Sequence, residues 1–422
     1  TNSTHLLIAA VDSGLKTFSI ILADKSTTRL GERDPLTGDL TEDAMQRGLD
    51  ALKRFKDIAD GYQVKSVVAA ATSAVREASN GTLFIKRIRD HMGLNVEVIS
   101  GTEEARLIYL GVLSGMQFGD KPHLLIDVGG GSTELVLADG YDSKALTSTK
   151  VGAVQLQTEF IKQEPLSTQR VGFLKTFIEG ALNSAIDKIS RRLKPGENPL
   201  MIATSGTAMA IGQLILDERA NPKSKLQGLK ISKSELDKLT EKLLKLTSQE
   251  RKKLPAISDR RAEIIVPGSL ILQTSMQMLR SNELILSERA LREGLVVDWM
   301  FRQGFLQDRF SLQGNIRQRT VLHQAKRFRV NIDRAKNVAK HALTLYDTTH
   351  GLLHHDEGSG RDLLWAASML HACGRHINLT SYHKHSWYLI RHGELLGYSQ
   401  IEHLMVAAIA RYHRKSFPKK RH

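Results

Sequence analysis

The sequence has one cysteine, few aromatic residues and no long hydrophobic run. Because Cys373 is the only cysteine among 422 residues, an internal disulfide and a cysteine-based zinc site are excluded, and a reducing cytoplasm is the compartment that fits. No stretch reaches the roughly 18 consecutive apolar residues that span a membrane. The apolar run that ends at Asp12 has no cationic segment before it, so the sequence does not indicate a signal peptide. We therefore predict a cytoplasmic protein with no membrane partner.

Acidic residues are too few to balance the basic ones. Lys and Arg total 60 against 45 Asp and Glu, which leaves a formal net charge of +15. An excess of this size predicts attraction to polyanions such as polyphosphate, nucleotides or nucleic acid, whereas a generally basic surface is the plain alternative. Aromatic residues make up only 5%, and no basic segment is interleaved with stacking residues, so we expect no nucleic-acid partner.

Two apolar runs end in the same Asp-x-Gly pattern. The first places Asp12 two residues before Gly14, and the second places Asp127 two residues before Gly129. Each is followed by a second β-rich run, so each predicts a β-hairpin with a tight turn. Two such hairpins 115 residues apart indicate a duplicated unit and hence two related α/β domains. A chance similarity of two short runs is the alternative.

Strand and helix patterns alternate through the first 300 residues, which predicts an α/β architecture. Predicted strands there include 64–71, 96–99 and 200–203, and predicted helices include 82–92, 100–113, 166–193 and 232–246. After about Phe305 the pattern is helical, over 321–329, 334–345, 363–371, 383–391 and 401–412, and 13 of the 16 histidines lie beyond residue 300. These shifts predict one α/β domain at 1–122, a second at 123–304 and an all-helical domain at 305–422.

The second hairpin carries the most informative motif in the chain. Its segment reads Asp127-Val128-Gly129-Gly130-Gly131-Ser132-Thr133-Glu134. Three consecutive glycines let backbone N–H groups converge on an anion, and Ser132 and Thr133 add hydroxyl donors. The two flanking carboxylates would repel phosphate unless a divalent cation lay between them, and Mg²⁺ suits one or two carboxylates plus phosphate oxygens. The segment therefore predicts a phosphate- and Mg²⁺-binding turn; a glycine-rich turn without a ligand is the alternative.

Glu104 is a candidate general base. Ser100 and Glu103 have capping-box spacing and open a helix, and Glu103 can also pair with Arg106 one turn later. Glu104 tilts toward an apolar face, where partial burial would raise the pKa of its carboxyl and suit it to activate water. From spacing alone, a second carboxylate that only favours the helix dipole is the plainer interpretation.

Two further candidates follow predicted strands. Arg76 should project from a loop near the carboxyl edge of a sheet, and its guanidinium can bind phosphate in a forked geometry. Ser205-Gly206-Thr207 also follows a strand and could form a third phosphate loop. An ordinary salt bridge for Arg76 and a simple turn at 205–207 are the alternatives.

The helical region carries histidines and a basic tail without an obvious metal site. His371 lies in a pattern similar to the His-Asp motif of phosphohydrolases, but Ala372 replaces the aspartate, so a two-metal centre would lose a bridging ligand. His341, His383 and His385 could be ligands, yet core or surface histidine is the plainer interpretation. We predict no metal there. The segment 411–422 holds six Lys or Arg residues and no acid, and could extend a polyanion track.

These motifs together resemble the exopolyphosphatase and guanosine pentaphosphate phosphatase family, which belongs to the actin-like and sugar-kinase-like ATPase superfamily. The similarity runs through nearly the whole chain. Its segments are Ala71–Ala78 with Asn80-Gly81, Ile99–Arg106, Leu125–Glu134, Val151–Val154, Ser205–Thr207 and Arg411–Lys415. Several long motifs in the right order are far more specific than any one of them alone.

The resemblance implies two actin-like (ribonuclease H-like) domains around a cleft, followed by a helical HD-like domain. It implies an exopolyphosphatase that releases terminal orthophosphate from inorganic polyphosphate with Mg²⁺ or another divalent cation, with pppGpp 5′-phosphohydrolysis as the alternative. By position, Glu104 matches the general base and Arg76 a ligand of the substrate phosphate. Asp127 and Glu134 match metal-linked acids, and 129–133 match a phosphate loop. Family members commonly form homodimers, and some run polyphosphate along a basic groove.

The chain departs from the family in its first loop. Members usually have Asp-x-Gly-Ser-Asn-Ser, whereas this chain has Asp12-Ser13-Gly14-Leu15-Lys16-Thr17. Because a hydroxyl is lost and a positive charge is added, we expect an altered phosphate loop, made by Asp12, Gly14, Lys16 and Thr17. The stretch 25–30 is also short for the family, and longer members continue past the last residue here. A polyphosphate- or nucleotide-binding regulator without turnover is therefore the third hypothesis.

Overall fold

The computed structural model describes residues 3–34, 36–119, 121–222, 224–255, 257–306, 316–355, 360–398, 400–415 and 417–418. The chain divides into two compact units. The first holds residues 1–10, 19–114 and 118–310, and the second holds residues 11–18, 115–117 and 311–422. The first unit is mixed α/β and the second is mainly helical, which confirms the predicted fold class. The exact boundaries of three domains remain predictions.

The elements are numbered in chain order. The strands are β1 Thr4–Asp12, β2 Thr17–Ser26, β3 Ala69–Ala71, β4 Val96–Val98, β5 His123–Val128, β6 Thr133–Ala138, β7 Ser143–Thr149, β8 Leu200–Thr204, β9 Lys230–Ser232 and β10 Glu283–Leu286. The helices of the first unit are α1 Glu42–Gly61, α2 Ser73–Arg76, α3 Gly81–Met92, α4 Gly101–Leu113, α5 Ala153–Phe160, α6 Thr168–Ser190, α7 Ser205–Glu218, α8 Lys233–Leu244, α9 Ser248–Arg251, α10 Asp259–Met278 and α11 Leu291–Arg302. Those of the second unit are α12 Ile316–Arg327, α13 Ile332–Thr348, α14 Gly360–Leu370, a 3₁₀ turn at Cys373–His376, α15 Tyr382–His392 and α16 Gln400–Tyr412.

The largest sheet belongs to the first unit and has the strand order β7-β6-β5-β8-β10-β9. β5, β8 and β10 run parallel, whereas β6 and β7 continue antiparallel from β5. Every residue of β6 is buried and β5 is nearly so, which is typical of strands covered on both faces of a sheet. Helices α6, α8 and α10 supply Leu182, Leu239 and Ile265 to the core that this sheet shares.

Two glycines bring the backbones of α4 and α11 into direct contact. A Cβ added at Gly111 would lie 1.8 Å from the carbonyl oxygen of Ala290, and one at Gly294 would lie 1.8 Å from that of Leu107. No larger residue fits at either position without moving a helix, because these neighbours are backbone atoms. This close packing fixes the helix that carries Glu104.

The N-terminal strands form two small sheets. β1 pairs with β2, and β3 pairs in parallel with β4. Both predicted hairpins, β1–β2 and β5–β6, are confirmed. The predicted strand 64–71 is wrong in extent, since only Ala69–Ala71 is a strand, and Val67 and Val68 are 59% and 49% exposed. A β-branched run becomes a strand only where a partner supplies hydrogen bonds, and β4 offers three residues.

The second unit packs small side chains between its helices. Its core includes Ala335 and Ala339 of α13, Ala366 of α14 and Ala407 of α16, together with the buried Cys373. All the helices predicted for this unit form, and their boundaries differ from the prediction by a few residues. The largest difference is at α12, which begins five residues before the predicted start. Across the described ranges, no helix is both long and apolar enough to cross a bilayer.

Candidate active site

Four polar residues form a single row across the large sheet. Asp127 of β5 is in register with Glu134 of β6 and with Thr204 of β8, and Glu134 is in register with Ser148 of β7. Residues in register on neighbouring strands project from the same face, so the row brings the two carboxylates together. The Ser148 hydroxyl donates to Glu134 Oε1 at 2.8 Å, and the Thr204 hydroxyl hydrogen-bonds to Asp127. Each acid is thus flanked by a hydroxyl on its outer side.

The two carboxylates of the row resist ionisation. Burial raises the pKa of Asp127 to about 7, and the charge of Glu104 adds to the effect. Burial also raises the pKa of Glu134 well above its usual value, with further contributions from the charges of Glu104 and Asp127. Because like charges that are held together disfavour each other, this site has excess negative charge that a divalent cation would relieve.

Glu104 adds the third carboxylate, from the first turn of α4. Ser100 caps this helix by accepting from the Glu103 N–H at 3.2 Å. The capping box is only half formed, because the Glu103 carboxylate pairs with Arg106 instead, at 2.6 and 2.8 Å. Glu104 is 8% exposed and lies 3.2 Å from Arg76 Nη1. Burial outweighs this guanidinium and raises the pKa of Glu104, in the predicted direction.

Neighbouring residues hold the side chain of Arg76 in place. This residue ends the one-turn helix α2, which corrects the expected loop position, since the four residues Ser73–Arg76 form a helical turn that begins two residues after β3 ends. Its Nη1 also donates to the Ile99 carbonyl at 2.8 Å, and its Nε lies 3.4 Å from Glu77 Oε1. Glu77 in turn pairs with Lys150. The arginine is oriented from behind while its side chain remains 19% exposed.

The glycine turn caps a helix. The carbonyls of Gly129 and Gly130 accept from the first N–H groups of α5, at Ala153 and Val154, each at 2.9 Å. A Cβ at Gly152 would lie 2.4 Å from Gly130 backbone atoms and 2.5 Å from the N of Gly131, so the turn packs directly on that glycine. The backbone of the predicted phosphate loop is therefore rigidly supported.

The two hydroxyls of this turn already have partners. Ser132 is 4% exposed and hydrogen-bonds to Glu134, and Thr133 is fully buried and donates to the Val151 carbonyl at 2.6 Å. These hydrogen bonds hold the Glu134 carboxylate and the glycine turn in place. The phosphate roles predicted for 129–133 remain predictions.

The segment Ser205-Gly206-Thr207 is the first turn of α7 rather than a free loop, because Thr204 caps it by accepting from the Ser205 N–H at 2.7 Å. A helix N-terminus offers N–H groups and a favourable dipole to an anion. Since Thr204 also binds Asp127, this helix start adjoins the carboxylate row. Ser205 adopts a φ of 92°, the left-handed region that L residues rarely use.

The first loop, residues 12–17, belongs to the second unit. Asp12 accepts from the Leu15 N–H at 3.0 Å and pairs with Lys326 Nζ at 2.5 Å. Although burial opposes it, these bonds lower the pKa of Asp12. Lys16 adopts a φ of 51° and its carbonyl accepts from Arg319, while Gly14 packs near the Asp12 carboxylate and Thr17 begins β2. Its phosphate role remains a prediction.

The carboxylate row suits Mg²⁺ better than a transition metal. Among the described residues, no group of three or more His, Cys, Asp or Glu side chains has the geometry of a complete metal site. Mg²⁺ does not need one, since it retains water and binds through one or two carboxylates together with substrate phosphates. Asp127 and Glu134 supply such a pair.

Comparison with known families identifies the chain. A model described as the Ppx/GppA phosphatase family matches residues 7–303, and one described as Ppx/GppA phosphatase, domain III, matches residues 316–422. The chain belongs to the Ppx/GppA phosphatase family. It is therefore a phosphatase of this family with an actin-like fold and a separate C-terminal helical domain.

Curated relatives and solved structures of the Ppx/GppA family cover most of the chain. A guanosine-5′-triphosphate,3′-diphosphate pyrophosphatase of Vibrio vulnificus is 29% identical over 417 residues, which are 98% of this chain and 79% of the relative. An exopolyphosphatase structure from Cytophaga hutchinsonii is 27% identical with a TM-score of 0.66, over 72% of this chain and 96% of that one. The Aquifex aeolicus family member is 30% identical with a TM-score of 0.59, over 72% and 95%.

Arg261 is a further candidate site residue, one that the sequence pattern did not indicate. It comes from α10, and its Nη1 lies 3.2 Å from Thr207 Oγ1. Its Nη2 lies only 2.2 Å from where a Cβ on Gly206 would be, so the glycine makes room for the guanidinium. Burial lowers the pKa of Arg261. The arginine sits 54 residues after Thr207 in the chain, and no local pattern marks it out.

Proposed function

We propose that this phosphatase hydrolyses the terminal phosphoanhydride bond of inorganic polyphosphate in a Mg²⁺-dependent reaction. The observation that carries the proposal is the grouping of Glu104 with Asp127, Glu134 and Arg76, in which three carboxylates with raised pKa values accompany one guanidinium. Phosphoryl transfer depends chiefly on positioning and charge neutralisation, and this group supplies both. The likeness to an exopolyphosphatase structure supports the choice of substrate.

Each residue has a stated part in the reaction. Asp127 and Glu134 would hold the cation, which supplies charge neutralisation for the phosphate oxygens when bound. Arg76 and the N–H groups of the glycine turn bind the terminal phosphate. Water attacks the terminal phosphorus and its proton passes to the Glu104 carboxylate, while the phosphoanhydride bond breaks and the shortened chain keeps the bridging oxygen. Burial of Glu104 supports its role as base, since its raised pKa makes it a better proton acceptor.

Release of orthophosphate from long-chain polyphosphate, with and without Mg²⁺, tests this proposal. We expect Glu104→Gln to lower turnover by about 10²- to 10⁴-fold while polyphosphate still binds. Glu103→Gln is the matched control, because Glu103 is next to it on the same helix but pairs with Arg106. Near wild-type turnover of Glu104→Gln would remove that residue from its role.

Hydrolysis of the 5′ γ-phosphate of pppGpp is the second candidate, because curated relatives at 29% identity are named as guanosine-5′-triphosphate,3′-diphosphate pyrophosphatases. The same chemistry serves both substrates. Comparing kcat/KM for pppGpp with that for polyphosphate of several lengths separates them, since a polyphosphate enzyme should favour longer chains. Tight binding with no Mg²⁺-dependent turnover of either would instead support a non-catalytic regulator. The homodimer and the cytoplasmic location also remain predictions.

A further inference from the structure

The short helix α2, which ends at Arg76, needs support from outside itself. It has four residues, Ser73–Arg76, and a single helical turn is unfavourable on its own because it fixes several residues for very few hydrogen bonds. The last carbonyls of a helix also have no N–H partner within that helix. Because the proposed function places Arg76 on the terminal phosphate, the contacts that fix α2 also fix a residue of the proposed site.

Arg33 supplies donors to the carbonyl end of α2. Its Nη2 donates to the carbonyls of Ala74 and Ser73, at 3.1 and 3.3 Å, and its Nη1 donates to that of Glu77 at 3.3 Å. A cation is favourable at the carboxyl end of a helix, and basic side chains there can bond to the last carbonyls. The planar fork of a guanidinium lets one side chain reach several carbonyls at once. Arg33 therefore caps α2 from a different part of the chain.

The guanidinium of Arg33 is part of the folded structure rather than a solvated surface charge. The carbonyls that it contacts belong to residues 40 to 44 positions later in the chain, so these bonds are tertiary contacts. Burial lowers the pKa of Arg33, and the nearby charge of Glu77 opposes that shift. Burial of a charged group costs free energy unless the group is hydrogen-bonded, and the three carbonyls offset this cost.

Asn80 fixes the backbone that carries Arg33. Arg33 and Leu40 form an antiparallel β-bridge. The Asn80 side chain accepts from the Leu40 N–H at 2.8 Å and donates to the Leu40 carbonyl at 3.0 Å. Asn80 directly precedes α3, and a Cβ on Gly81 would lie 2.2 Å from the Val75 carbonyl oxygen, so α3 begins in backbone contact with α2. Arg33 therefore reaches α2 from an anchored segment.

We infer that Arg33 is a positioning residue for the proposed hydrolysis, because it fixes Arg76 through the carbonyls of α2. This inference rests on the role proposed for Arg76. The Nη1 of Arg76 lies 3.2 Å from Glu104 Oε2, so a rotation of the short helix would move the guanidinium away from both the base and the terminal phosphate. A displacement of about 1 Å in a group that holds the reacting atoms can cost about 100-fold in rate.

A double-mutant cycle on orthophosphate release from polyphosphate tests whether Arg33 acts through Arg76. We expect Arg33→Ala to lower kcat/KM by about tenfold to 100-fold. In the Arg76→Ala background it should have no further effect, because the guanidinium that Arg33 positions is then gone. Arg33→Lys keeps the charge without the fork and should retain more activity than Arg33→Ala. Arg170→Ala is the matched control with unchanged kcat/KM, because Arg170 donates at 2.8 Å to the carbonyl of Phe160, the last residue of α5.

A measurement without turnover separates this inference from the proposed function. In side-chain NMR, the Nε–H signal of Arg76, assigned by its loss in Arg76→Ala, should shift or broaden in Arg33→Ala and stay unchanged in Arg170→Ala. If the wild-type protein releases no orthophosphate, the proposed function fails and this signal alone decides the role of Arg33. If Arg33→Ala does not fold, Arg33→Lys takes its place in both measurements. An unchanged Arg76 signal, wild-type kcat/KM, or an equal loss with and without Arg76 would overturn the inference.

Discussion

The two Asp-x-Gly hairpins look alike in sequence but differ in electrostatics. Asp127 lies in a row with another carboxylate, and its pKa is raised to about 7. Asp12 is paired with Lys326, and its pKa is lowered. The motif therefore sets the turn, whereas residues from other elements decide whether the aspartate is prepared for a cation or already neutralised.

The largest expected difference between the two aspartates is in their response to Mg²⁺. We expect Asp127→Asn to lower orthophosphate release by about 10²-fold or more, because the cation loses one of two carboxylates. We also expect Mg²⁺ to raise the Tm of the wild-type protein, and Asp127→Asn to abolish that rise. Asp12→Asn should keep that rise, since Lys326 already neutralises its carboxylate. Equal loss of the Mg²⁺ response in both variants would show that the hairpins act alike.

The free energy of unfolding of the metal-free protein should also distinguish Asp127 from Asp12. Because the pKa of Asp127 is raised in the folded state, its carboxyl contributes to stability, and this contribution is complete at pH values below the usual Asp pKa of 3.8. The contribution is lost as the pH rises to about 7. Because asparagine cannot ionise, we expect Asp127→Asn to be more stable than wild type at pH 8 by about 2–4 kcal/mol, and similar to it near pH 4. Denaturant unfolding in EDTA at both pH values checks this. A variant less stable than wild type at pH 8 would contradict the cost assigned to the buried, ionised carboxylate.

Ionisation of Asp12 should affect the free energy of unfolding in the opposite direction. Its lowered pKa means that the ionised form stabilises the fold above the usual Asp value, and that this stabilisation disappears as the pH falls through the folded-state pKa. We therefore expect Asp12→Asn to be less stable than wild type at pH 7, by about 1 kcal/mol or less, because the ion pair is near the surface. Lys326→Met should reproduce the loss. Unchanged unfolding in both variants would mean that the pair contributes nothing.

The fold was largely predictable because its strongest signals are local. Buried apolar runs and the triglycine segment predict β5 and β6, and the helical change after Phe305 predicts the second unit. The run 64–71 misled the prediction, since strand length depends on a partner that the local sequence does not specify. The candidate site was predictable only in its motif residues, whose roles remain predictions. Ser148, Thr204 and Arg261 reach it through sheet register and the packing of α10, which are not readable along the chain.

The last comparison concerns Ser148 of β7, which contacts the acid-bearing hairpin. Its hydroxyl donates to Glu134 Oε1, and a Cβ on Gly101 would lie 2.4 Å from that hydroxyl, so Ser148 touches both Glu134 and the start of the helix that carries Glu104. Partners that orient a ligand carboxylate typically contribute tenfold or more to metal affinity. We expect Ser148→Ala to raise the Mg²⁺ concentration for half-maximal thermal stabilisation by about tenfold.

The neighbouring hydroxyl provides the control for this prediction. Thr147 donates to the Leu135 carbonyl at 2.8 Å and lies one residue away on β7, so its side chain projects from the opposite face. Thr147→Val should therefore cost about 1 kcal/mol of stability without changing the Mg²⁺ requirement. If Ser148→Ala lost only stability, as Thr147→Val should, Ser148 would be a structural hydroxyl. The row across the sheet would then end at Glu134, and the acids alone would set the difference between the two hairpins.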